Sequence, residues 1–110
     1  MRLMILAAMA AAMLSGCAPA QAGEARIRVS YAGLRIDTRE GRAELRLRVA
    51  TAAQRYCEAH GAEITPHESR ADPYYCPDML RSEIMSDMSQ PVRRAYLRAR
   101  REAGVRGRRL

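Results

Sequence analysis

The stretch YCEAHGAEITPHESRADPYYC, residues 56–76, holds Cys57, Cys76, His60 and His67 in a chain that has only three cysteines and two histidines. No other feature constrains the fold as much, because these four side chains offer three different anchors: a disulfide, a metal centre or a thiol site. The compartment the chain enters, and the elements on which the sulfurs fall, decide among them.

The N-terminus addresses the compartment. Arg2 precedes an unbroken apolar or small run from Leu3 to Leu14. Twelve such residues make a helix of about 18 Å, against a bilayer core of about 30 Å, so the run matches a secretory signal peptide better than a membrane span. Two processing routes are open. Leu14-Ser15-Gly16-Cys17 matches the lipobox at which a bacterial lipoprotein is cleaved and its cysteine lipidated, and Ala18 after it suggests the outer membrane; the stretch to Ala22 offers an ordinary small-residue site. Either route places the mature chain outside the cytoplasm, in the periplasm, with no transmembrane span.

In an oxidising compartment the two remaining cysteines pair as a rule. Cys57 falls in the last turns of one helical pattern and Cys76 at the start of the next, so a hairpin of the two helices would bring their backbones to the roughly 5.5 Å a disulfide needs. Closing about 20 residues stabilises a fold by roughly 3 kcal/mol in the chain-entropy estimate. A small domain without Phe or Trp, with alanine as much of its apolar share, depends on such a staple. The alternative is a metal-binding module in which Cys57, His60, His67 and Cys76 make a tetrahedral zinc site, although their spacing departs from the familiar zinc motifs.

The rest of the mature chain is read by periodicity. Ile27, Val29 and Tyr31 alternate with polar residues, Ala32-Gly33 suggests a turn, and Leu34 and Ile36 resume the alternation; this predicts a short strand or hairpin. Thr38 is placed as a helix N-cap. Leu45, Val49, Ala52, Ala53 and Tyr56 form one stripe of a helix running to about His60, with Gly61 as its left-handed terminator. Residues 62–75 read as a loop. Cys76, Leu80, Ile84 and Met88 predict a second helix with Pro77 in its first turn, and Pro91 opens a third, whose Val92, Ala95, Tyr96 and Ala99 share a face. The expected fold is α+β and mostly helical: the strand or hairpin packed on a disulfide-pinned helical hairpin, plus a basic C-terminal helix. Three regions follow: a signal peptide at 1–22 with the lipobox at 14–17, a small domain at 23–92, and an Arg-rich helix and tail at 93–110.

Charge sets the last region apart. All 19 basic residues are arginine, a bias that GC-rich codons explain. Residues 93–110 carry Arg93, Arg94, Arg98, Arg100, Arg101, Arg106, Arg108 and Arg109 against the single Glu102, whereas residues 23–92 are nearly neutral. Such a segment is drawn to anionic lipid headgroups or envelope polymers. Export argues against nucleic acid, and the bland alternative is a solvated tail that aids solubility. The tail reads as frayed and separable, so deleting residues 93–110 is expected to abolish binding and spare the fold.

Catalytic signals are missing. There is no C-x-x-C, Gly-rich phosphate loop, nucleophile elbow or H-E-x-x-H. Glu58, Glu63, Glu68, Asp72 and Asp78 crowd the cysteine region without a pairing that a reaction requires. The expectation is no enzyme, no catalytic residue and no cofactor.

The segments VSYAGLRIDT and GRAELRLRVATAAQRYC, with the later Cys76, resemble the UrcA family of small exported bacterial proteins. Tyr31, Leu34, Thr38, Gly41, Leu45, Arg48, Val49, Ala52, Ala53 and Cys57 carry the resemblance, which covers about residues 27–90. Gly33, Tyr56, the Met-rich second helix and the arginine tail depart from it. The resemblance implies a signal peptide, a small domain and a cysteine pair, and it implies no activity. Together these readings predict a non-catalytic exported envelope protein that binds an anionic surface or a protein partner through its basic C-terminus.

Overall fold

The computed structural model describes residues 27–110. The signal segment, the lipobox with Cys17 and the start of the linker lie outside the described residues. Among the described residues three helices make the fold: α1 (Arg39–Ile64), α2 (Tyr75–Asp87) and α3 (Gln90–Glu102), with a short 3₁₀ turn (His67–Ser69) between the first two.

Thr38 starts α1 as expected. Its backbone is extended and its hydroxyl accepts from the Gly41 amide at 3.0 Å, satisfying one of the orphan donors of the first turn. Gly41 has a second role. A Cβ on it would collide with the backbone carbonyl of Arg35, so the glycine lets the preceding chain pass directly over the first turn. At the far end α1 continues through Gly61 to Ile64. Gly61 is helical rather than left-handed, which corrects the predicted terminator; the chain leaves the helix instead at the extended Thr65, just before Pro66.

Leu45, Val49 and Ala53 are fully buried along one stripe of α1. They meet Cys76, Leu80, Ile84 and Met88 of the α2 stripe and Ala95 and Tyr96 of α3, since α1 packs against both shorter helices. Tyr96 is the largest fully buried side chain. Each fully buried Leu or Val contributes about 1.5–3 kcal/mol, so a core with this few large side chains is thin. The Cys57–Cys76 disulfide reinforces it, joining α1 to the start of α2 with Cα atoms 6.0 Å apart.

The expected α+β class is overturned: among the described residues there is no strand and no sheet. The alternation itself is real. Ile27, Val29, Tyr31, Leu34 and Ile36 are partly buried against the core and the residues between them are exposed. Period two reports an extended chain with one face buried, and here that face lies on helices. The carbonyls that a neighbouring strand would satisfy go to arginines of α1. Arg48 Nη1 donates to the Ser30 and Ala32 carbonyls at 3.0 Å each, and Arg42 Nη1 to those of Ile36 and Asp37. Gly33, at φ +73°, makes the turn midway. No helix among the described residues is long and apolar enough to cross a membrane.

Candidate functional site

The C-terminal arginines divide into two sets. α3 is amphipathic, with Ala95, Tyr96 and Ala99 buried, and a buried arginine continues that face: Arg100 follows Tyr96 by one turn. The residue is 8% exposed, and its guanidinium donates from Nη2 to the Gly107 carbonyl at 2.6 Å and to that of Arg109 at 2.8 Å. Burial, with Arg81 nearby, pulls its pKa down from the ordinary value. Arg93 caps α2: Nε donates to the Met85 carbonyl at 3.0 Å, which also accepts from the Met88 amide, and Nη2 donates to the carbonyls of Ser86 and Met88 at the helix end. Arg108 reaches back to the start of α2, with Nη1 2.8 Å from Asp72 Oδ2 and Nε 3.1 Å from Asp78 Oδ2. Arg98 pairs with Glu102 on its own helix.

These bonds make the last residues a strap rather than a frayed tail. α3 closes in a Schellman motif, in which Gly104 at φ +69° donates to the Arg101 carbonyl and Val105 to that of Arg100. Gly107, at φ +64°, turns the chain again, and Leu110 packs on the core. The segment is therefore not separable, as Tyr96 and Ala95 belong to the core itself.

Arg94, Arg101, Arg106 and Arg109 form the other set. All four are exposed and hold no acidic or carbonyl partner among the described residues. Arg94, Arg98 and Arg101 lie at i, i+4 and i+7, one stripe along the outer side of α3. Arg106 and Arg109, with Arg108 and Tyr74, line an open cleft of about 260 Å³. Tyr74 is 46% exposed there and immediately precedes α2. Multidentate N–H donors beside an aromatic ring can hold an anionic oxygen group.

No family model, curated protein or solved structure matches this chain. The cysteine region is thus read from geometry alone. Both sulfurs are bonded to each other, so a zinc site of Cys57, His60, His67 and Cys76 lacks the two thiolates it requires. His60 is exposed, lies beside Tyr56 with the rings tilted and their centroids 4.8 Å apart, and faces Glu63 at 3.5 Å. His67 is exposed in the 3₁₀ turn. Among the described residues no group of three or more His, Cys, Asp or Glu is placed to hold a metal ion. Asp72 and Asp78, two of the crowded acids, are brought together by Arg108, which holds the Asp72 carboxyl below its usual range.

Sequence reasoning missed Arg42 and placed Arg93 and Arg100 on the binding face. A signal existed for two of them. Arg42 lies three residues before Leu45 on the buried stripe, and Arg100 four after Tyr96. An arginine in apolar register is a buried arginine with a partner elsewhere.

Proposed function

We propose that this chain is a non-catalytic exported envelope protein that holds to an anionic surface through Arg94, Arg98, Arg101, Arg106 and Arg109. One observation carries the reading: four of these arginines stand exposed without a partner among the described residues, while Arg93, Arg100 and Arg108 are used to fix the surface that presents them. Each arginine near an anionic bilayer adds about 1 kcal/mol of attraction, less at high salt. Lipidation at Cys17 would add a second anchor, and one acyl signal plus a basic patch is the combination that makes attachment stable. The resemblance to the UrcA family rests on the residues quoted for it.

The test uses the mature full-length chain and vesicles of phosphatidylglycerol in phosphatidylcholine. Binding is expected at low salt, weakening steeply as salt rises. Changing Arg94, Arg101, Arg106 and Arg109 together to Gln should cost up to about three orders of magnitude in affinity, from roughly 1 kcal/mol each. Circular dichroism of that variant should match the parent. Absence of binding at low salt rules the reading out.

A further inference from the structure

Resting on the anionic-surface reading, the geometry points to a selective subsite within it: the cleft of Tyr74, Arg106, Arg108 and Arg109 binds a phosphomonoester in preference to a phosphodiester. Three observations carry this inference.

Positive charge is in excess at the cleft. Asp72 and Asp78 face Arg108, and Asp78 also faces Arg81. Those two acids offset those two arginines, and Arg100 beneath the turn holds backbone carbonyls, so the cleft's own Arg106 and Arg109 have no acid to offset them among the described residues. A phosphomonoester carries about −1.5 to −2 at neutral pH, and a diester only one charge, so the monoester matches the two free guanidinium groups.

The backbone that carries the donors is fixed in advance. Arg100 grips the backbone of the turn from beneath at Gly107 and Arg109, and Arg108 ties it sideways to Asp72 and Asp78. The loop that presents Arg106 and Arg109 is therefore held before any ligand arrives, which lowers the ordering cost of binding.

Size and shape fit a headgroup. At about 260 Å³ the cleft lies just below the roughly 300–1,000 Å³ of sites that enclose drug-sized ligands. It is open, and the Tyr74 ring forms one wall. A terminal phosphoryl group with a short stem fits such a site.

A monoester is found both on membranes, as in phosphatidic acid, and on soluble molecules, as in glycerol phosphate. The experiment compares vesicles of phosphatidic acid and of phosphatidylglycerol matched in surface potential, using the mature full-length chain. The expected result is a preference of about fivefold to tenfold for phosphatidic acid. The double variant Arg106→Gln/Arg109→Gln should lose that preference and still bind phosphatidylglycerol through the α3 stripe. Added glycerol phosphate separates the sources. If it displaces the chain, the free monoester is a ligand; if the preference survives excess glycerol phosphate, the membrane-borne ester is the ligand. Either result sustains the site. Equal binding to the two lipids, or a preference unchanged in the double variant, overturns it and leaves general surface binding intact. Failure to bind phosphatidylglycerol at all would instead remove the underlying reading.

Discussion

Arg42 and Glu102, sixty residues apart, meet in a two-point ion pair: Nη2 lies 2.7 Å from Oε1 and Nε 3.1 Å from Oε2. The same guanidinium holds the Ile36 and Asp37 carbonyls through Nη1. One side chain therefore joins the start of α1, the end of α3 and the extended segment that covers them.

That junction predicts a stability loss out of proportion to a single surface-like residue. Arg42 is 6% exposed, so removing it leaves Glu102 with Arg98 alone and strands two carbonyls. Arg42→Ala should lower the melting temperature by about 10 °C or more. Arg42→Lys should not restore it, because one ammonium group cannot reproduce a bidentate pair while reaching two carbonyls. Arg39→Ala, at an exposed position of the same turn, is the control and should change little. Thermal unfolding followed by circular dichroism decides the matter.

Acid should undo the same contacts. The Arg42 hydrogen bonds hold the Glu102 carboxyl below its ordinary range, and those of Arg108 do so for Asp72. For Asp78, burial pushes the carboxyl up, but hydrogen bonds from Arg81 and Arg108 outweigh it and the net direction is down. A carboxyl with a lowered folded pKa binds fewer protons folded than unfolded. Its stabilisation is complete above the unfolded value of about 4 and is lost as pH falls through the folded one. Urea midpoints should therefore decline below about pH 4. Glu102→Gln should lower the midpoint at neutral pH and shallow that decline; an unchanged acid profile would count against the ion pair.

The disulfide closes a loop of 19-residue separation and should contribute about 3 kcal/mol. Reduction, or the double variant Cys57→Ser/Cys76→Ser, is expected to lower the melting temperature by roughly 10–20 °C. Intact-mass spectrometry of the oxidised mature chain should read two hydrogens below the thiol form. The same spectrum reports whether Cys17 begins the chain and carries acyl groups.

Removal of residues 93–110 should unfold the protein rather than trim it. Tyr96 is fully buried and Ala95 belongs to the same cluster. Tyr96→Ala alone is expected to cost about 3–5 kcal/mol. A truncated chain that keeps its helical signal and a cooperative transition would show that α3 is an appendage after all.

Much of the helical architecture could be read from periodicity. The stripes of Leu45, Val49 and Ala53, and of Cys76, Leu80, Ile84 and Met88, are buried as their spacing requires. The Thr38 cap and the cysteine pair follow from local chemistry. The strand did not, because alternation encodes an extended backbone with one wet face and is silent about what lies beside it. Arg42 and Arg48 take the place of the partner strand; apolar register marks Arg42 as buried, but no local pattern names the backbone carbonyls that either side chain bonds. The proposed binding face was only half legible for a related reason. A count of charges treats eight arginines alike, yet their fates differ with partners at Met85, Asp72, Asp78 and Gly107. Positions in the segments that precede and form α1 have structural roles here: Thr38 caps, Gly41 permits a close approach, Arg48 holds two carbonyls, and Leu45, Val49 and Ala53 fill the core. Roles of this kind position the fold and leave the activity unstated.

Two glycines of α1 should respond to the same substitution in opposite directions. At Gly61 an added Cβ would meet Cys76 Sγ at 3.8 Å and Cys57 Cβ at 3.9 Å, ordinary packing distances beside the disulfide. Gly61 is helical, so Gly61→Ala removes the backbone-entropy penalty of a helix-interior glycine and should stabilise by about 0.5–1 kcal/mol. At Gly41 the added carbon strikes the Arg35 carbonyl, which belongs to backbone and cannot swing aside. Gly41→Ala must lift the chain before Thr38 from α1, and with it the hydrogen bond by which the Thr38 hydroxyl donates to Arg35 and the carbonyls that Arg42 holds. The expected outcome is a clear fall in melting temperature together with faster hydrogen exchange at the amides of Leu34 and Thr38, which bond within that segment. Equal effects at the two positions would mean that the covering segment does not rest on the first turn of α1.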